Sequence, residues 1–179
     1  MKNVLIISSS LRRGSNSEAL AKEFARGASD AGNKVELISL RNKDIRFCRG
    51  CLACQKTQKC VIADDAQAII GKMHDADAIA FATPIYYYEM SGQLKTLLDR
   101  ANPLYPSDYL FRDIYMLTSA AEDEPSTPER AVMGLTGWID CFEKARLAGT
   151  VFAGGVNDPD EVKGHPALAE AYAAGNKIQ

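Results

Sequence analysis

Along the chain, short runs of apolar and often β-branched residues alternate with longer stretches whose apolar positions recur every three or four residues. The first run, Val4–Ile7, reads as a buried strand. Glu18–Ala31 then places Leu20, Phe24, Ala25 and Ala28 on one face of a helix, with Gly32 just past its end. Val35–Ser39 is a second strand. Asp64–Asp75 carries Ala66, Ile69, Ile70 and Met73 at helical spacing, and Ala78–Ala82 is a third strand. Ser91–Asn102 repeats the helical spacing with Leu94, Leu97, Leu98 and Ala101. Ile114–Thr118 is the fourth strand. A helix runs from about Pro128, a first-turn proline behind Thr127, to Lys144. Thr150–Ala153 is the fifth strand, and a last helix runs from Pro166 to about Ala174, before Gly175.

Five strand–helix units in succession predict an α/β domain, a parallel sheet with helices on both faces. The strands read as unbroken apolar runs, as parallel strands buried on both sides do. No repeat, low-complexity stretch or linker divides the chain, so residues 1–179 read as a single domain. In such sheets ligands bind beyond the carboxyl ends of the strands, where the strand order reverses. The loops after the first, third and fourth strands are therefore where chemistry is expected.

The loop after the first strand, Ser8-Ser9-Ser10-Leu11-Arg12-Arg13-Gly14-Ser15-Asn16-Ser17, is rich in hydroxyls and opens onto a helix. Free N–H groups and the positive end of the helix dipole suit a phosphate there. The loop lacks the Gly-Lys-Ser/Thr of a nucleotide-triphosphate loop and has a single glycine, which excludes the dinucleotide fingerprint. Plain helix capping also accounts for part of it, since Ser15 and Glu18 have capping-box spacing. After the third strand comes Thr83-Pro84-Ile85-Tyr86-Tyr87-Tyr88-Glu89-Met90-Ser91. Its three tyrosines fit stacking on a flat ring, a dimer contact, or packing back onto the core.

Together these stretches resemble the NAD(P)H-dependent FMN reductases, whose phosphate loop runs from Gly-Ser-Pro-Arg to Gly-Asn-Thr. Ser10, Arg12, Asn16 and Ser17 are similar to that loop. Thr83-Pro84-Ile85-Tyr86, with Gln93-Leu94-Lys95 and Asp99-Arg100, resembles the second flavin loop and the helix after it. Cys48-x-Gly50-Cys51-x-x-Cys54, Cys60-Val61-Ile62-x-Asp64-Asp65, and the closing Gly164-His165-Pro166 with Leu168, Ala171 and Gly175 extend the likeness over most of the chain. Ser9 and Leu11 depart from it, standing where the family usually has glycine and proline. The resemblance implies a flavodoxin-like three-layer sandwich, its five-stranded parallel sheet in the order 2-1-3-4-5. It also implies bound FMN, NAD(P)H as co-substrate, and a homodimer or homotetramer. Carried over by position, Ser10, Arg12, Asn16 and Ser17 would hold the phosphate. Pro84, Ile85, Tyr86 and Tyr87 would line the isoalloxazine, and Ser119 and Ala120 would face the ribityl chain or ring edge. No side chain need act as acid or base, because the flavin carries the chemistry.

Composition narrows the picture further. Apolar residues make up 46% and charged residues 25%, ordinary values for a globular domain. A net charge of −2 with no basic run argues against nucleic acid. No apolar run has the length of a membrane span, and Val4–Ile7 is too short for a signal-peptide core. A cytoplasmic, reducing setting is therefore expected. There a local cysteine cluster reads as metal-binding or redox-active before it reads as a disulfide framework. Cys48, Cys51, Cys54 and Cys60 give C-x2-C-x2-C-x5-C. This set resembles the iron–sulfur flavoproteins, which pair FMN with a [4Fe–4S] cluster, and it fits zinc less well. Loop thiols or an oxidised pair remain the plain alternative. Cys141 reads as a small buried residue of the fourth helix. His74 sits at a helix end and His165 as a cap, and neither has partners for a triad or a metal.

The leading expectation is an FMN-dependent NAD(P)H oxidoreductase that transfers hydride by a ping-pong route. Its acceptor would be small: a quinone, a nitro or azo compound, or a flavin. An electron-transferring iron–sulfur flavoprotein and a non-enzymatic flavin-binding sensor are the two alternatives.

Overall fold

A computed structural model describes residues 1–179. The sheet is built from β1 (Asn3–Ser8), β2 (Lys34–Ser39), β3 (Ala78–Tyr86), β5 (Asp113–Ser119) and β6 (Arg146–Ala153), all parallel, in the order β2-β1-β3-β5-β6. These are the five expected strands in the expected order, so the fold is the flavodoxin-like sandwich. A short sixth strand, β4 (Glu89–Met90), was not anticipated. It pairs antiparallel with the end of β3, Ile85 with Met90 and Tyr86 with Glu89.

Side chains of β1 alternate between two cores, as the period of a strand requires. Leu5 and Ile7 face α3 (Asp65–Asp75), α4 (Gly92–Arg100) and α5 (Glu129–Ile139). Val4 and Ile6 face α1 (Asn16–Asp30) and α6 (Pro166–Asn176). Helices α1 and α6 cross closely. A Cβ at Gly27 would lie 2.0 Å from the Tyr172 carbonyl oxygen, and one at Gly175 would lie 2.1 Å from that of Phe24. Gly175 is thus a buried crossing residue inside α6, and the helix runs past it to Asn176.

Three further expectations need correction. A five-residue helix, α2 (Ala53–Thr57), forms inside the cysteine loop. Helix α5 begins at Glu129, with Pro128 as its cap and no side-chain capping bond, and ends at Ile139. It stops short of Lys144 because tight turns over 140–145 lead into β6, which starts at Arg146. Cys141 therefore lies beyond the helix and is exposed. The two histidines stand where expected: His165 Nδ1 accepts from Ala167 N at 3.1 Å, capping α6, and His74 is in the last turn of α3. No helix is long and apolar enough to cross a membrane.

Candidate functional site

The carboxyl ends of β1, β3, β5 and β6 enclose a crevice of about 320 Å³. Ser10, Arg12, Asn16, Pro84, Ile85, Tyr86, Tyr87, Ser119 and Ala120 line it, which is every residue expected at a flavin site except Ser17. Four further residues, Ser15, Ala121, Val156 and Asn157, complete the wall. Val156 and Asn157 belong to the loop after β6, whose only signal in the sequence is its place after a strand.

The loop after β1 is fixed from behind. Ser9 is fully buried, and its hydroxyl donates to the Ala82 carbonyl at 3.1 Å and accepts from Ser91 Oγ at 2.8 Å. Ser91 N donates to Thr83 Oγ1 at 3.0 Å. The serine that replaces the family's usual glycine thus ties β1, β3 and the start of α4 together.

Two of the expected phosphate ligands have their side chains engaged elsewhere. Asn16 Nδ2 donates to the Asp158 carbonyl at 3.0 Å, and Asn16 Oδ1 accepts from Val162 N at 3.1 Å. The side chain pins the loop after β6 to the start of α1, helped by Asp160 N on the Gly14 carbonyl at 2.8 Å. Ser17 Oγ is fully buried and lies 3.0 Å from Ser15 Oγ. What these residues leave for a ligand is backbone: the N–H groups of Ser15, Asn16 and Ser17 meet no acceptor in the protein. Ser119, only 4% exposed, turns a hydroxyl without a protein partner into the same crevice. Arg12 donates one N–H to the Asn157 carbonyl at 2.5 Å and has others to spare. Unspent N–H groups at a helix start, hydroxyls and a guanidinium form a donor set suited to a phosphate.

The other end of the crevice is a hairpin. Tyr87 and Tyr88 occupy its tip with φ of 51° and 66°. Two adjacent left-handed residues between paired strands are the signature of a type I′ turn, normally given to Asn-Gly. Tyrosine costs about 1–2 kcal/mol there at each position. Tyr87 is 99% exposed, so neither core packing nor local preference accounts for it. Strain together with an exposed aromatic ring marks a position kept for contact with something else. Hydroxyl and backbone donors at one end and flat apolar surface at the other fit FMN.

A second cavity, of about 500 Å³, shares no residue with the crevice. Cys48, Cys51, Cys54 and Cys60 all line it, and Cys141 joins them from the turn after α5. Trp138 and Phe142, part of an aromatic cluster with Tyr109 and Phe111, form one side. The loop is anchored by a buried ion pair, Arg100 Nη1 to Asp64 Oδ2 at 2.6 Å, both side chains fully buried. Arg100 also donates to the carbonyls of Arg46 at 2.7 Å and Ile62 at 3.2 Å. Burial pushes the Asp64 carboxyl up, but hydrogen bonds from Arg100, Arg46 N and Ala66 N bring it below the usual carboxylate range. Asn102 Nδ2 donates to Cys54 Sγ at 3.2 Å. As a donor set, four thiols suit an iron–sulfur cluster. Their arrangement does not, since no three metal-binding side chains are gathered around one point.

The model of a family described as NADPH-dependent FMN reductase matches residues 2–141. An iron–sulfur flavoprotein of Methanocaldococcus jannaschii is 40% identical over 101 residues, 56% of this chain and 52% of its own length. Another, of Methanosarcina thermophila, is 28% identical over 134 residues, 74% of this chain and 70% of its own. The chain thus spans about half the length of the first relative and more of the second. Among solved structures, an NAD(P)H:quinone oxidoreductase from Methanothermobacter marburgensis superposes with a TM-score of 0.74 at 19% identity. That match covers 99% of this chain and 96% of the other, a likeness of fold.

Proposed function

The chain belongs to the NADPH-dependent FMN reductase family, and on that premise we propose that it is an FMN-dependent NAD(P)H oxidoreductase with its flavin in the crevice. The observation that carries this is the crevice itself, with unspent donors at the start of α1 and a strained tyrosine hairpin at its other end. Bound there, FMN would supply the redox chemistry, hydride transfer from NAD(P)H and on, in ping-pong fashion, to a small acceptor such as a quinone, a nitro or azo compound, or a flavin.

The chain's own residues bind and orient. Ser10, Arg12 and the N–H groups of Asn16 and Ser17 hold the phosphate. Pro84, Ile85, Tyr86 and Tyr87 flank the ring, and Ser119 and Ala120 meet the ribityl chain. Asn16 and Ser17 thus contribute backbone, and their side chains set the loop. Neither histidine lines the crevice. A single phosphate site favours FMN over FAD. The exposed tyrosine tip and Met133 of α5, 72% exposed, support self-association as a dimer or tetramer.

The test is the visible spectrum of anaerobically purified protein, followed by steady-state NAD(P)H oxidation with a quinone. A yellow protein that releases FMN and turns over is expected. Colourless protein that takes up no added FMN would sink the reading, and flavin without turnover would favour a sensor.

A second reading adds an iron–sulfur cluster at Cys48, Cys51, Cys54 and Cys60, which would make this chain an electron carrier between two-electron and one-electron partners. That all four thiols line one cavity favours it, although they are not gathered around one point and would have to close on the metal. So does the name shared by the curated relatives. About four irons per chain are expected, the content of one such cluster. Any one of the four changed to serine should lower that content, while Cys141→Ser, outside the C-x2-C-x2-C-x5-C set, should not. Flavin-bearing protein that stays free of iron after reconstitution with iron and sulfide removes this reading.

A further inference from the structure

Ser15 and Glu18 have the spacing of a reciprocal helix cap, yet only half of it forms. Ser15 Oγ accepts from Glu18 N at 3.3 Å. The return bond, from the Ser15 N–H to the Glu18 carboxylate, is not made, because the carboxylate is held elsewhere. Arg41, in the turn after β2, places Nη2 3.1 Å and 3.4 Å from its two oxygens. Lys22 adds a looser contact at 3.4 Å from a side chain that is 66% exposed. The Glu18 side chain is only 10% exposed, so its charge is poorly screened by water.

This carboxylate sits in the first turn of the helix whose start faces the crevice. Released, it has a ready destination, since a capping-box glutamate folds back onto the N–H of the cap residue. There it would take the Ser15 N–H, one of the three free donors at the start of α1, and its negative charge beside the other two would repel a dianion. Glu18 is therefore an internal competitor, restrained by Arg41. Arg41 itself does not line the crevice. Its other long-range contact, Nη1 to the Arg12 carbonyl at 3.5 Å, is at the limit of a hydrogen bond.

We propose that Arg41 is a positioning residue for the anion site: it neutralises Glu18 and holds it out of the cap, which keeps the start of α1 open to a phosphate. This rests on the reading of the crevice as an FMN site. The same wall also carries Arg12, with Arg13 beside it, and these remain to attract the phosphate whether or not Glu18 is restrained.

Apo-protein titrated at low salt with FMN and with riboflavin tests it, since the two differ only in the phosphate. Arg41→Ala should weaken FMN by about tenfold or more, the scale of one charge-assisted contact, and leave riboflavin unchanged. Glu18→Ala/Arg41→Ala should bind FMN within about twofold of Glu18→Ala alone, because an alanine cannot fold back onto the cap and the two residues act as one unit. Lys22→Ala should behave as wild type. The proposal is overturned if Arg41→Ala binds FMN normally, or if riboflavin weakens equally. It is also overturned if the double variant stays as weak as Arg41→Ala, which would mean that Arg41 meets the phosphate directly or merely braces the loop. Wild-type protein that takes up neither flavin would instead fail the crevice reading itself, and the proposal with it.

Discussion

Two loops leave the sheet from neighbouring strands, one after β1 and one after β2, and they are held in opposite ways. The first is braced by many modest hydrogen bonds from distant segments: Ser9 to Ala82, Asn16 to Asp158 and Val162, Asp160 to Gly14. Those bonds use side chains and one backbone carbonyl and leave a row of backbone N–H groups free, so the site is formed before any ligand arrives. The second is centred on one buried ion pair, Arg100 with Asp64, with hydrogen bonds from Arg46, Gln67 and Asn102 around it, and its thiols share a cavity without being gathered. Pre-formed donors suit a ligand that comes and goes with little rearrangement. A thiol set that had to close around a metal would couple binding to local folding. The two regions thus differ in how far their groups are pre-organised.

The largest effect should come from the ion pair. Arg100→Leu leaves a buried carboxylate unpaired and should cost about 3–5 kcal/mol of stability, measured by urea unfolding. The folded fraction should still bind FMN, since Arg100 touches nothing in the crevice, and loss of FMN affinity in folded protein would show that the regions are coupled. The pair also has a pH signature. A carboxylate whose pKa is depressed on folding adds stability above its unfolded value, about 3.9 for Asp, and loses it as pH falls through the lower folded value. The stability gap between wild type and Asp64→Asn should therefore narrow as the solution is acidified below that value. A gap that stays constant would mean Asp64 is not held as a carboxylate.

A charge placed in the crevice comes next. Ser10→Asp should weaken FMN by about 1.5–3 kcal/mol, roughly tenfold to more than a hundredfold, with thiol accessibility at the cysteine cavity unchanged. Equal affinity would reduce the loop to a helix cap.

The smallest effect concerns the hairpin tip. Tyr87→Gly relieves a left-handed tyrosine and should raise stability by about 1 kcal/mol, read as a higher melting temperature. Flavin or acceptor affinity should fall at the same time if the ring is used. A gain in stability with no functional loss would leave the exposed tyrosine to self-association.

The sequence by itself determined the layered fold, the order of the five parallel strands through family likeness, and that nine of the ten residues expected at a flavin site lie together on one crevice. These follow from local periodicity and from the rule that parallel strands deliver their loops to one edge, so short-range pattern is enough. Only the tertiary structure decided how each residue is used. Asn16 has the residue type of a ligand, but its partners lie 142 and 146 residues away, and they consume the side chain and leave the N–H. Cys141 reads as helical and buried from its apolar neighbours, yet α5 ends before it and turns it to the cysteine cavity. Glu18 has the spacing of a cap, but Arg41 arrives from the turn after β2 and takes it. A donor or an acceptor binds whichever partner folding brings within 3 Å or so, and that partner can lie anywhere along the chain.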